Sequence, residues 1–184
     1  MPKQQDVISD IMEHNKQFVA HKDYEKFATS NLPDKNMVIV SCMDTRLTTL
    51  LPEALGLKNG DVKMIKNAGG TVLSPVGSAM RSILVALYAF NVTNVVIIGH
   101  EKCGMARVDN SYLIDKMKER GVTQETVDNL DVDVLSWLAG FDSLEESVLS
   151  SVSIVKEHPL VAQDVNVFGL IINPETGELR HVPA

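Results

Sequence analysis

The sequence predicts an α/β fold with a mostly parallel central β-sheet flanked by helices. Two short aliphatic runs, Met37–Ser41 and Asn94–Gly99, lack polar alternation, which is typical of strands buried on both faces of a parallel sheet. Longer segments with apolar residues at helical spacing lie between such runs. Strands that alternate with helices indicate βαβ units, and these build a doubly wound sheet.

The first third of the chain supplies a helix, two strands and a short connecting helix. Apolar residues at helical spacing predict an opening helix from about Asp6 to Ala20. Met37–Ser41 is the first predicted strand, and a short helix from Thr48 to Leu55 should follow it. Val62–Lys66 is the second strand, and it ends in the small residues Asn67, Ala68, Gly69 and Gly70.

The middle of the chain contains the strand that the pattern predicts most clearly. Ser74 and Pro75 predict a helix start, because serine is a favoured N-cap and proline a favoured first helical residue. That helix should run to about Asn91. Asn94–Gly99 is the third strand, and it ends directly at His100.

The last third predicts broken helices and a C-terminal strand pair. The helical pattern from Val108 to Trp137 is interrupted at Gly121. A further amphipathic helix should span Leu144 to His158, and Val165–Ile172 is the fourth strand. A turn over 173–177 then leads into a short strand over 179–182.

Length and charge narrow the class of protein. With 184 residues and neither an internal repeat nor a linker, we expect one domain over 1–184, with an N-terminal helical arm over 1–30. The formal net charge of -7 argues against partners such as nucleic acid or an anionic membrane surface. The N-terminus has no apolar signal region, so we expect a cytoplasmic protein.

Three metal-binding side chains follow the ends of two predicted strands. Cys42 comes directly after the first strand, and His100 and Cys103 follow the third. The carboxyl ends of parallel strands meet at the ligand-binding edge of a sheet, so these side chains should lie together. Two sulfurs and one nitrogen favour zinc, and three protein ligands leave a tetrahedral position open for catalysis.

Interpretations without a catalytic metal are also compatible with these residues. The two cysteines and the histidine could be buried core residues without a ligand role. Alternatively, Asp44 could be the fourth protein ligand of a structural zinc. A cysteine phosphatase is excluded by spacing, because Cys42 and Arg46 are separated by three residues where a phosphate-cradling loop needs five.

Two motifs resemble the signatures of β-carbonic anhydrases. Cys42-Met43-Asp44-Thr45-Arg46 is similar to their Cys-x-Asp-x-Arg motif, and His100-Glu101-Lys102-Cys103-Gly104 is similar to their His-x-x-Cys-Gly motif. Both stand in the family's order, each after a predicted strand, with Asn67-Ala68-Gly69-Gly70 between them. Met105 stands where many members have a second glycine, and the chain is short, so it looks more like the compact bacterial-type branch.

The resemblance implies a complete set of expectations about function. One zinc per chain would be held by Cys42, His100 and Cys103, and a zinc-bound hydroxide, oriented by Asp44 and Arg46, would convert carbon dioxide to bicarbonate. In a closed state, Arg46 would release Asp44 to the fourth zinc position. Ala68, Gly69 and Gly70 would help to wall the substrate pocket. The family also implies a homodimer or a dimer of dimers, with the N-terminal arm packing on a partner subunit.

Two other functions are compatible with the same motifs. A zinc hydrolase of CS₂ or COS would use the same fold and metal, and a zinc-binding regulatory protein would have Asp44 fixed on the metal.

Two thiolate ligands cancel the formal charge of the zinc ion. A water molecule on this zinc should therefore be harder to ionise, so the activity of the enzyme should rise with pH above neutrality.

The remaining histidines are predicted to be surface residues: His14, His21, His158 and His181.

Overall fold

The protein is described by a computed structural model, which covers the backbone of residues 4–183 and the side chains of residues 7–106 and 108–183. Its internal contacts divide it into two units, with the boundary between Asn31 and Leu32. The first unit contains helix α1 (Gln4–Ala20) and a 3₁₀ turn at Glu25–Phe27. The rings of Phe18 and Phe27 stack in this unit with centroids 6.2 Å apart.

The apolar stripe of α1 is exposed. Its exposed side chains are those of Val7, Ile8, Ile11, Met12 and Val19. An exposed stripe of this kind is compatible with the predicted arm over 1–30. A single domain over 1–184, and packing of the arm on a partner subunit, stay predictions.

The second unit contains a five-stranded sheet in the order β2-β1-β3-β4-β5. The strands are β1 (Met37–Cys42), β2 (Val62–Asn67), β3 (Asn94–His100), β4 (Asn166–Ile172) and β5 (Leu179–Val182). Strands β1 to β4 pair in parallel, and β5 pairs antiparallel to β4. The mostly parallel sheet and the C-terminal strand pair are therefore confirmed.

The segments that connect strands β1 to β4 contain the helices of the second unit. They are α2 (Leu47–Ala54), α3 (Ser78–Ala89), α4 (Asn110–Glu119), α5 (Gln124–Asp128), α6 (Val134–Trp137) and α7 (Leu144–Lys156), with 3₁₀ turns at Ala68–Gly70 and Gly104–Arg107. The predicted break at Gly121 is confirmed, because its φ of +94° falls in the left-handed region just after α4. Asp109, Thr123 and Asp133 cap the three short helices in this stretch.

Both faces of β1 and β3 are buried, as the unbroken aliphatic runs predict. Within β3, Val95 and Ile97 belong to a core formed with α3 and α7. Val96 and Ile98 face the other way, into a second core that includes Leu47 of α2 and the two cysteines. The candidate metal ligands therefore lie at the end of the two most deeply buried strands of the sheet.

The predicted start of α3 is wrong. The helix begins at Ser78 with Gly77 as its N-cap, rather than at Ser74 and Pro75. The Ser74 hydroxyl instead accepts a hydrogen bond from the backbone N–H of Val76 at 3.3 Å. A serine followed by proline can cap an isolated turn as well as a helix, and here it caps the turn.

The predicted exposure of His158 is also wrong, whereas His14, His21 and His181 are exposed. The His158 side chain is buried, and its Nε2 lies 3.0 Å from the Pro75 carbonyl oxygen. Its Nδ1 accepts a hydrogen bond from the backbone N–H of Leu160 at 3.1 Å. Both ring nitrogens thus have backbone hydrogen-bond partners in loops. The histidine links the loop that contains Pro75 to the loop after α7, and no sequence pattern indicates that these two loops lie side by side.

None of the helices in the described part of the chain combines the length and the apolar character that crossing a membrane requires.

Candidate metal centre

The sheet places Cys42, His100 and Cys103 at one edge. Cys42 is the last residue of β1, and His100 is the last residue of its parallel neighbour β3. The register pairs Ser41 with Ile98, so the two strands end at nearly the same level. All three side chains are buried, and that of His100 is fully inaccessible.

The spacing of the three donors fits a tetrahedral zinc ion. The sulfurs of Cys42 and Cys103 lie 3.9 Å apart. Two sulfurs bound tetrahedrally at about 2.3 Å from zinc would be about 3.8 Å apart. The ligand atoms of all three residues lie within 4.8 Å of one another, and among the described residues no other His, Cys, Asp or Glu group of this kind occurs.

The imidazole of His100 is oriented for metal binding. Its Nδ1 lies 2.9 Å from the Glu101 carbonyl oxygen, so Nδ1 carries the proton and donates it. Nε2 is left with a free lone pair and has no hydrogen-bond partner within the described chain, although it is buried. A backbone carbonyl that fixes the tautomer is the usual outer support of a metal-bound histidine.

The two thiols differ in acidity. Burial opposes ionisation of Cys42, but the neighbouring His100 and the backbone N–H groups of Asp44 and Gly69 outweigh it and lower the pKa of this thiol to about 7. Burial raises the pKa of Cys103 to about 11, and the negative charge of Cys42 adds to this effect. Burial alone would lower the pKa of His100, but the Cys42 thiolate raises it. Cys42 therefore ionises more readily than Cys103.

Asp44 and Arg46 form a bidentate ion pair beside the three donors. Nε of Arg46 donates to Oδ1 of Asp44 at 2.9 Å, and Nη2 donates to Oδ2 at 2.8 Å. The Arg46 guanidinium holds the pKa of the Asp44 carboxyl well below its usual range. Oδ2 of Asp44 also lies 3.8 Å from Nε2 of His100. An ionised carboxylate thus lies close to Nε2 of His100, the ring nitrogen that has no hydrogen-bond partner in the described chain.

The predicted pocket residues Ala68, Gly69 and Gly70 lie over the end of β1. Gly70 has a φ of +68°, and a Cβ atom there would come within 2.7 Å of the Cys42 backbone nitrogen. A side chain at position 70 would therefore push this turn away from the cysteine. Gly69 and Gly70 are buried, whereas Ala68 is exposed.

An apolar wall that sequence patterns did not reveal closes one side of the centre. Met105 and Phe141 pack on the core that contains both cysteines. Their side chains also lie over Gly69, because a Cβ atom there would be 3.3 Å from Phe141 and 3.5 Å from Met105. Phe141 follows α6 in a loop, so only the folded chain brings it here.

The loop between His100 and Cys103 is held from outside. Lys102 has a φ of +54°, a left-handed conformation that costs a residue with a side chain ~1–2 kcal/mol. Asn173 donates to the Glu101 carboxylate at 3.0 Å, and Lys102 pairs with Glu175 at 2.6 Å. The sequence predicts only a turn at 173–177, and nothing in its pattern links that turn to the metal-binding residues.

The fold and this cluster define the class of protein to which the chain belongs: an α/β protein with a Cys-His-Cys group that could hold a metal ion at the carboxyl edge of a mostly parallel sheet. The family model described as carbonic anhydrase matches residues 37–179. The chain belongs to the β-carbonic anhydrase family.

Several relatives are similar to this chain over most of their length. "Putative carbonic anhydrase YvdA" of Bacillus subtilis is 51% identical over 175 residues, which cover 94% of this chain and 89% of that protein. A carbon disulfide hydrolase of Acidithiobacillus thiooxidans is 28% identical, with 89% of this chain and 85% of that protein covered. The crystal structure of a β-carbonic anhydrase from Trichomonas vaginalis superposes with a TM-score of 0.88 at 30% identity, covering 95% of this chain and 96% of that one.

Proposed function

We propose that this protein is a zinc-dependent carbonic anhydrase, which hydrates carbon dioxide reversibly to bicarbonate and a proton. The observation that carries the proposal is the buried Cys42–His100–Cys103 group, with sulfurs 3.9 Å apart and a free lone pair on His100 Nε2. One zinc ion per chain is the cofactor that this donor set fits. Bound there, zinc would lower the pKa of a water molecule so that a nucleophile forms near neutral pH.

Asp44 orients the attacking oxygen in this proposal. Its carboxylate stands 3.8 Å from His100 Nε2 and is ionised, so it acts as a hydrogen-bond acceptor. Arg46 occupies both carboxylate oxygens through a bidentate pair, which fixes the direction of the carboxylate. By accepting a hydrogen bond from the attacking oxygen, the carboxylate would turn a lone pair of that oxygen towards the substrate.

The substrate side of the centre suits a small apolar molecule. Met105 and Phe141 form an apolar wall against the cysteines, and the glycines at 69 and 70 leave room beside it. Carbon dioxide is linear and carries no charge, so such a wall accommodates it without the loss of a hydrogen bond. The product bicarbonate is an anion, and the apolar wall offers it no partner.

The proposal is tested by stopped-flow CO₂ hydration from pH 6.5 to 9 on protein with a measured zinc content. We expect one zinc per chain, an activity that rises with pH, and no activity in Cys103→Ala. A protein with one zinc per chain and no CO₂ hydration at pH 9 would contradict the proposed activity but not the metal site.

A second candidate function is hydrolysis of CS₂ or COS at the same centre. The observation that favours it is the similarity to a carbon disulfide hydrolase over 89% of this chain. The attack is chemically analogous, and complete hydrolysis of CS₂ with two waters gives one CO₂ and two H₂S. Measuring H₂S release from CS₂ alongside CO₂ hydration, on the same zinc-loaded sample, decides between the two substrates.

A further inference from the structure

We propose that Asn173 is a positioning residue, which aligns His100 and Arg46 by holding the backbone between His100 and Cys103 in place. The inference rests on the proposed metal site, because it assigns Asn173 a role in the geometry of that site. Asn173 belongs to neither of the two motifs and touches none of the three donors in the described contacts. Its influence passes through Glu101.

The side-chain amide of Asn173 can point in one direction only. Its Oδ1 accepts hydrogen bonds from the backbone N–H groups of Glu175 at 2.8 Å and Thr176 at 3.1 Å. Its Nδ2 must therefore face the other way, and it donates to Oε2 of Glu101 at 3.0 Å. The backbone of Asn173 closes the β4–β5 hairpin through hydrogen bonds with Gly177 and Glu178. The amide is thus anchored to a rigid turn.

Glu101 carries the hydrogen bond that orients the imidazole. Its backbone N–H donates to the Ile172 carbonyl at 3.0 Å, which extends the pairing of β3 with β4. Its own carbonyl oxygen accepts from Nδ1 of His100. Asn173 fixes the side chain of the same residue. Glu101 is therefore held at two points, and the direction of His100 Nε2 depends on both.

The next residue, Lys102, extends this control to Arg46. The Lys102 carbonyl oxygen accepts a hydrogen bond from Nη2 of Arg46 at 3.1 Å. This contact links the two motifs, and the Lys102 backbone that makes it is left-handed, with a φ of +54°. The ion pair of Lys102 with Glu175 is exposed at both ends, so the more buried link from Asn173 to Glu101 is the stronger support.

The decisive variant is Asn173→Asp. An aspartate keeps the oxygen that accepts from Glu175 and Thr176, so the turn is preserved. It removes the donor and places a second carboxylate opposite Glu101. We expect zinc affinity to fall about tenfold, the lower end of the 10–100-fold cost of losing a direct partner of a metal ligand, because Asn173 acts through Glu101. Competition with a chromophoric chelator measures the affinity, and the d–d spectrum of the cobalt-substituted protein should change.

A double variant tests the hydrogen bond itself. In Asn173→Asp with Glu101→Gln, the glutamine amide donates to the aspartate, so the same link forms with reversed polarity. Zinc affinity should return to within about threefold of the wild type. Asn166→Ala is the matched control. Asn166 lies at the opposite end of β4, where its Nδ2 donates a hydrogen bond to Oδ1 of Asn94 at 3.2 Å. Its zinc affinity should equal that of the wild type.

The outcomes separate the inference from the proposed function. Wild-type zinc affinity and an unchanged cobalt spectrum in Asn173→Asp would overturn the positioning role. Failure of the double variant to recover would also overturn it, because the hydrogen bond would then not be the cause. If Asn173→Asp does not fold, Glu101→Ala removes the same link from the other side and should weaken zinc equally. None of these readouts requires CO₂ hydration, so an inactive wild type would count against the proposed function alone.

Discussion

The two loops that carry the metal-binding residues are stabilised in opposite ways. The first ligand loop, Cys42–Arg46, is held by its own residues, because Asp44 accepts three hydrogen bonds from Arg46 and α2 begins directly afterwards. The second ligand loop, His100–Cys103, includes a left-handed lysine and depends on Asn173 and Glu175 from the β4–β5 turn. A short motif supplies most of the support of the first loop, although Arg46 also donates to the Lys102 carbonyl oxygen. The second loop depends on a distant part of the chain.

The largest expected effect comes from removing a donor in the second ligand loop. Cys103→Ala leaves two of three donors, and we expect zinc affinity to fall by a factor of order 10³ or more, about a third of the free energy of a typical protein zinc site. Equilibrium dialysis against buffered zinc measures this loss. Stoichiometric zinc with wild-type affinity in the variant would remove Cys103 from the ligand set.

The first ligand loop should separate zinc binding from activity. Asp44→Asn keeps all three donors but loses the ionised acceptor, so we expect one zinc per chain and a kcat/KM for CO₂ hydration about 10²-fold lower. Asp164→Asn is the matched control, because Asp164 is exposed and precedes β4 at the opposite edge of the sheet. Full activity in Asp44→Asn would contradict the proposed role of the carboxylate.

Two glycines beside the ligand loops test how tightly the chain is packed there: Gly70 lies against the Cys42 backbone, and Gly104 follows Cys103. Gly70→Ala adds a Cβ atom 2.7 Å from the Cys42 backbone at a φ of +68°, so we expect the free energy of unfolding to fall by ~2 kcal/mol. A Cβ atom on Gly104, next to Cys103, would meet no atom within 4 Å. Gly104→Ala should therefore change the free energy of unfolding by less than ~0.5 kcal/mol. Urea unfolding of both variants measures this difference, and equal values would show that the crowding at Gly70 relaxes.

The affinity for zinc should also depend on pH. The Cys103 thiol, with a pKa of about 11, is protonated at pH 8, whereas the Cys42 thiol, with a pKa of about 7, is largely ionised. Because zinc binds the thiolate, binding at pH 8 should release at least one proton per zinc, and each proton released makes the affinity about tenfold weaker per pH unit lowered. Below pH 7 the decline should steepen, since Cys42 must then lose its proton too. Calorimetry in buffers of different ionisation enthalpy counts these protons, and a count of zero would be inconsistent with a protonated Cys103.

The sequence predicts the centre of the sheet well because β1 and β3 are buried on both faces. Aliphatic runs such as Asn94–Gly99 are typical of such strands, and the parallel order then brings Cys42 and His100 to one edge. The positions of Cys42 and His100 follow from this rule, whereas that of Cys103 also depends on the loop after β3. Their roles, and those of Asp44 and Arg46, stay proposals that the variants above test.

Residues whose positions depend on contacts between distant loops escape this kind of prediction. His158 is buried because two loop backbones satisfy its ring nitrogens, and its sequence neighbours give no sign of that. Phe141 and Asn173 reach the metal centre from loops that no periodic pattern places. In each case the local sequence is compatible with several positions, and only the packing of the whole chain selects one.

The 61-residue separation of the two cysteines has a consequence for the stability of the whole fold. A zinc ion held by both would act as a cross-link between β1 and the loop after β3, closed only when those strands are paired. Binding that requires the folded chain stabilises it by about 2.7 kcal/mol when free zinc exceeds its dissociation constant a hundredfold. Metal supply would then set the lifetime of the protein as well as its activity, and a chelator would lower its melting temperature.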